Sequence, residues 1–146
     1  MRRPLGPPYV ERVLLARKRK GQSREEDLPW VYGAALRAAS SETSAAEAAR
    51  AAIGSTDSLD VRGNGEERRR VLMARAVASA LRSSPAEPLA ALPPGEREAI
   101  GLARILGMDV DEIARFTGSD TSEVKARMRS GLGRLVTGLR PASTAG

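Results

Sequence analysis

The chain has 146 residues, a formal net charge of +6, and neither cysteine nor histidine. Without thiols there is no disulfide, thiolate zinc site or cysteine nucleophile, and without imidazole the commonest general base and zinc ligand are missing. Aromatic residues make up 3% of the chain while alanine alone supplies 24 residues, which argues against a β-sandwich or barrel and for an all-α protein with thin cores.

Residues 1–24 carry eight Lys/Arg and one Glu. The run Arg17-Lys18-Arg19-Lys20 can neutralise phosphates or serve as a solvated tail. Residues 1–22 are therefore expected to be a flexible basic arm, with a short helix over 9–20. A helix is predicted over 26–39, with Asp27 as its cap and Pro29 in its first turn. Leu28, Val31, Ala35 and Leu36 recur there at helical spacing, and Trp30 and Tyr32 read as core anchors. Ser44 and Glu47 suggest a capping box ahead of an alanine-rich helix that stops at Gly54. Residues 54–65 read as a loop. Glu66 to Arg82 reads as a helix with an apolar stripe of Val71, Leu72, Ala76, Val77, Ala80 and Leu81. Residues 23–84 thus form a small helical N-terminal lobe, and residues 85–91, with Pro85 and Pro88, a linker.

The last third carries the most information. Pro93 and Pro94 open a helix whose inward side is Ile100, Ala103 and Leu106, helped by Leu102 and Ile105, and Gly107 ends it. Asp109 caps a second helix from Val110 to Phe116. Gly118 supplies a turn that tolerates positive φ. Asp120 and Glu123 suggest another capping box, opening a third helix that runs to about Leu139 with Val124, Met128, Leu132, Leu135 and Leu139 inward. Ala114, Gly118 and Val124 fall at the offsets of a helix-turn-helix: a small residue at the crossing, a turn glycine, and a β-branched residue packing the second helix onto the first. A plain three-helix bundle with a glycine turn is the rival reading. On the helix-turn-helix geometry Ser122, Glu123, Ala126, Arg129 and Ser130 face away from the core, flanked by Lys125 and Arg127. Cations flanking short side chains suit a major groove. Ala126 can touch a thymine methyl. Glu123 either accepts from cytosine N4 or caps the helix. An ordinary solvated face is the alternative for Lys125, Arg127 and Arg129.

No catalytic residue, metal site or cofactor is expected. Asp109, Asp111 and Glu112 cluster at a helix start, where they favour the dipole. No apolar run approaches the roughly 20 residues of a membrane span and no signal core follows Met1-Arg2-Arg3, so the chain reads as a cytoplasmic protein that binds without chemistry. Residues 92–139 form the C-terminal domain of this reading, and residues 140–146 a disordered tail.

The stretch from Leu92 to Leu139 resembles region 4 of the bacterial sigma-70 family, in particular its extracytoplasmic-function (ECF) group. The residues that carry the resemblance are Leu92-Pro93, Arg97-Glu98, Gly107, Glu112-Ile113-Ala114, Val124-Lys125-Ala126-Arg127 and Arg134-Leu135. The resemblance implies a wingless helix-turn-helix that docks on RNA polymerase and reads a −35-type promoter element. Ser122, Glu123, Lys125, Ala126, Arg127 and Arg129 would be the DNA-facing positions. Double-stranded promoter DNA, core RNA polymerase and an anti-sigma-like regulator are the implied partners. Three departures stand out: Ser119 replaces a usual apolar turn residue and should loosen the turn, Glu123 replaces a usual Thr, and Gly131 and Gly133 weaken the third helix. The N-terminal half is faintly similar to region 2, through Leu28-Pro29-Trp30-Val31-Tyr32 and the arginine-rich helix from Glu66. Its middle, Ala45 to Ile53, does not fit, and the half reads as a shortened or degenerate region 2. A stand-alone helix-turn-helix regulator and a polymerase- or sigma-binding module without DNA reading are the competing expectations.

Overall fold

A computed structural model of the chain describes residues 26–54 and 65–139. The expected basic arm, the short helix over 9–20, most of the 54–65 loop and the tail at 140–146 lie outside the described residues. Within them the architecture is all-α. Helix α1 covers residues 26–38, α2 Glu42–Gly54, α3 Gly65–Ser83, α4 Pro94–Leu106, α5 Val110–Thr117 and α6 Thr121–Leu139. A single 3-10 turn, Leu89–Ala91, precedes α4.

The first three helices owe their packing to small residues. Val31, Ala34, Ala35 and Ala38 bury one face of α1, and Ala45, Ala48, Ala49 and Ala52 one face of α2. An alanine face carries little apolar area but lets helix axes approach closely. Helix α3 packs against both α2 and α4. Its buried set therefore reaches beyond the predicted stripe to Ala74 and Ala78. Two ends differ from expectation. Asp27 is inside α1, and its buried carboxylate accepts from Arg68 Nη2 at 3.2 Å and Arg69 Nε at 3.1 Å. The cap of α2 is Ser41, whose Oγ accepts from the Ser44 backbone N–H at 3.1 Å, three residues before the predicted box. Leu28 and Leu36, expected inward, are exposed.

The stretch joining the two halves is pinned at several points. The Ser40 N–H donates to Ser84 O at 2.8 Å, the Ala86 N–H donates to Ala38 O at 2.8 Å, and the Ser40 and Ser84 hydroxyls bond each other. Arg97 of α4 then gathers the chain around itself. It donates to the carbonyls of Leu81 at 3.0 Å, Leu89 at 3.2 Å, Ala90 at 3.3 Å and Leu92 at 2.7 Å. Leu81 lies in the last turn of α3, where carbonyls have no helical partner.

Helix α4 is the shared spine. Pro94 opens it at the position where a missing N–H costs nothing. Its buried residues include Ala99, Ile100, Gly101 and Leu102. Gly101 meets α3 so closely that a Cβ there would overlap Leu81 Cδ1. On the other side Ile100 meets α6 at Gly131, where a Cβ would overlap Ile100 Cδ1 and sit 3.2 Å from the Glu96 Cβ. The buried side chains of α1 through α6 consequently form one continuous apolar cluster.

Candidate nucleic-acid interface

The local sequence of α5 makes it a firm platform. Asp109 accepts from the Glu112 N–H at 2.8 Å, and the Glu112 carboxylate accepts from the Asp109 N–H at 3.2 Å. This reciprocal box satisfies two of the donors that a helix start leaves open. Ile113 and Ala114 are buried. Gly118 ends the helix at φ +71°, a left-handed conformation that costs glycine least. The Ser119 N–H donates back to Ala114 O at 3.0 Å.

Helix α6 then packs against α4 and α5, its buried residues being Val124, Gly131 and Leu135, with Met128 partly buried between them. The inward spacing is 124, 128, 131, 135. Leu132 is 45% exposed and not part of it. Gly131 occupies the place assigned to a leucine because α4 lies too close for one. The capping box expected from Asp120 and Glu123 is replaced by an i,i+4 pair, with Arg127 Nη2 3.5 Å from Glu123 Oε2.

The six candidate DNA-facing residues divide into two groups. Ser122, Glu123, Lys125, Ala126 and Arg129 are exposed on the outward side of α6. Ser122, Ala126 and Arg129 follow one another at helical spacing, so short side chains line the outermost ridge with a cation beside them. Lys125 and Arg129 make no ion pair among the described residues. Arg127 is different. Its Nη1 donates to Ser119 Oγ at 3.1 Å, and its Nε lies 3.3 Å from where a Cβ on Gly95 would stand. The Thr117 hydroxyl, which donates to Ile113 O at 2.8 Å, also bonds the Ser119 hydroxyl at 3.1 Å. Ser119 therefore fastens the turn rather than loosening it. Arg127 ties the turn to both α6 and the start of α4.

Two carboxylates at the helix junctions are held below their ordinary value of 4.5. For Glu96, the Ser130 hydroxyl and then Arg134 outweigh the effect of burial, Arg134 Nε standing 3.0 Å from Oε2. For Glu112, the Arg70 guanidinium and then the Asp109 N–H do so. That contact is bidentate, at 2.9 and 3.2 Å, and joins α3 to α5. A depressed folded-state pKa contributes stability above the unfolded value that is lost as pH falls through the folded one. Glu112→Gln is therefore expected to lower the thermal midpoint at pH 7. The gap between parent and variant should close as pH falls below 4.5. A gap that stays constant from pH 7 to pH 3 would contradict the linkage.

Three features could be seen only in three dimensions: the Arg97 clamp, the tie on Arg127 and the 55% exposure of Trp30, which was expected to be a core anchor. For Gly131 a signal was present, since 124, 128, 131 and 135 keep a stricter helical seam than the leucines do.

Helices α4 to α6 thus define a helix-turn-helix unit with an open outer face on its last helix. Residues 88–135 match the family model of sigma-70, region 4. The match runs from just before the 3-10 turn to Leu135, the last buried residue described in α6. No curated protein and no solved structure matches the chain.

Proposed function

We propose that this protein is a sigma-like transcription factor that binds double-stranded promoter DNA through α6 and associates with RNA polymerase in the cytoplasm. The observation that carries this reading is the outer face of α6. On it Lys125 and Arg129, without an ion pair among the described residues, flank Ser122 and Ala126, within a segment that matches sigma-70 region 4. Lys125 and Arg129 would reach phosphates, and Ser122, Glu123 and Ala126 the base edges of a −35-type element. Arg127 acts mainly by holding the turn and α6 in register, with its outer edge toward the backbone. Ala114, Gly118 and Val124 set the crossing of the two reading helices. The N-terminal helices correspond to a reduced region 2 of the ECF type. Its middle, α2, has an alanine face and no aromatic platform for an unstacked base, so promoter opening falls to other parts of the polymerase complex. An anti-sigma-like regulator fits the same scheme. No helix among the described residues is long and apolar enough to cross a membrane.

The test uses the full chain and duplexes selected from a random pool, with and without core polymerase. A Lys125→Ala, Arg129→Ala variant should bind all duplexes more weakly. The slope of log affinity against log salt should shrink by about 2, one counterion-releasing contact for each cation removed. Unchanged affinity and slope would refute DNA reading by α6. Failure of the parent to bring down core polymerase would instead favour a stand-alone helix-turn-helix regulator.

A further inference from the structure

Among the described residues the buried charged side chains are Asp27 and Glu96. Asp27 serves the N-terminal helices, where Arg68 and Arg69 hold it. Glu96 sits at the crossing of α4 and α6. Its Cβ lies 3.2 Å from where a Cβ on Gly131 would stand, and its Oε2 is shut off from water. From there it holds one flank of α6. Arg134 Nε donates to Oε1 at 3.3 Å and stands 3.0 Å from Oε2, and the Ser130 hydroxyl bonds the same carboxylate. Ser130 and Arg134 are one helical turn apart and so lie on one side of α6. On the opposite flank of the same turns Leu132 and Val136 are exposed.

A carboxylate withdrawn from water carries a desolvation cost that an apolar side chain of similar size avoids, so such a pair suits fixing one arrangement better than adding stability. The crossing has need of that. Gly131 presents no side chain to key into α4, so its contact with Ile100 does little to stop α6 rolling about its own axis. We infer that Glu96 is a positioning residue for DNA recognition: by gripping Ser130 and Arg134 from α4 it fixes the roll of α6, and with it the direction in which Ser122, Glu123 and Ala126 point. This rests on the DNA reading proposed above for α6. A helix with its side chains has a radius of about 5–6 Å, so a roll of about 20° carries a side-chain tip about 2 Å sideways. That is more than a hydrogen bond to a base edge tolerates. Lys125, on its flexible four-carbon stem, can follow a phosphate over the same distance. Glu96 therefore bears on sequence discrimination and not on charge-driven affinity.

The full-length protein and two duplexes test this, one duplex selected from a random pool and one with the same bases scrambled. Glu96→Met fills the space with an apolar chain of similar length and releases Arg134, already 59% exposed, to water. The ratio of selected to scrambled affinity should fall about tenfold, the effect of one mismatched base pair. Affinity for the scrambled duplex should hold or rise, since the variant has one negative charge fewer. Glu96→Gln keeps an acceptor for Ser130 and Arg134 and should recover most of the ratio. Val77→Ala, a core truncation in α3, should lower the thermal midpoint yet leave the ratio at the parent's value. If Glu96→Met does not fold, Arg134→Ala changes an exposed side chain and carries the same expectation for the ratio. An unchanged ratio, selected and scrambled affinities that fall together, or a Val77→Ala ratio reduced as far as that of Glu96→Met would each overturn the proposal. A parent that binds both duplexes alike would refute DNA reading by α6 and this inference with it. A parent that discriminates, beside a Glu96→Met variant that discriminates equally, would refute only the role of Glu96.

Discussion

Arg97→Ala is expected to lower the unfolding free energy by about 3 kcal/mol, from the loss of charged hydrogen bonds to backbone carbonyls that are partly withdrawn from water. Such a loss is a large fraction of the roughly 5–15 kcal/mol that holds a typical domain together. The guanidinium serves four carbonyls drawn from three places: the end of α3, the 3-10 turn, and the start of α4. Leu89 O keeps its bond from the Leu92 N–H at 3.0 Å. The carbonyls of Leu81, Ala90 and Leu92 lose the charged donor. The sum stays well under four full hydrogen bonds because water reaches the half-buried Ala90. Arg97→Lys should recover only part of the loss, since an ammonium cannot span the fork that four separated acceptors require. Urea unfolding measures both, with the m-value expected to stay constant. A change below about 0.5 kcal/mol for Arg97→Ala, within the range of ordinary surface substitutions, would show that the clamp is incidental.

The second large effect concerns Gly131 and Gly133, two of the three glycines of α6, which the sequence treats alike. Gly133→Ala should stabilise the protein by about 0.5–1 kcal/mol, because nothing lies within 4 Å of an added Cβ and alanine is the better helix former. Gly131→Leu should destabilise it by about 2–3 kcal/mol. The new side chain would collide with Ile100, which is 1% exposed and cannot swing into solvent, and with the Glu96 Cβ. The gain in helix propensity offsets about 1 kcal/mol of an overpacking cost that is otherwise larger. Prising α6 from α4 should also strain the Glu96–Arg134 pair and reduce DNA affinity through a tilted reading face. Equal stabilities for the two variants would mean that α4 and α6 do not cross at Gly131.

The contrast between these glycines shows what was legible in the sequence. The helices, the ends at Gly107 and Gly118, the Asp109 cap and the turn were readable, because these residues act through neighbours a few residues away. Ala114 and Val124 were readable for the same reason, their offsets from Gly118 being fixed by helix geometry. Features that depend on partners far along the chain were not. Asp27 looks like a cap until Arg68 and Arg69 reach it from 41 and 42 residues away. Arg97 looks like half of an Arg-Glu sequence motif until the chain folds around it. Trp30 looks like core because tryptophan usually is, yet the alanine faces of α1 and α2 leave no space deep enough to receive an indole. At the candidate site five of the six positions stand exposed. Arg127 is half-buried, its guanidinium bonded to Ser119, a contact that single-helix spacing does not reveal.

Because Ile100 and Gly101 are adjacent on one helix yet serve opposite crossings, the reading head has no swivel of its own. On the proposed function, whatever grips the first three helices would also set the heading at which α6 meets a duplex. A ligand bound far from DNA could then steer recognition simply by turning the whole body, as a hand on a tiller turns a blade it never touches.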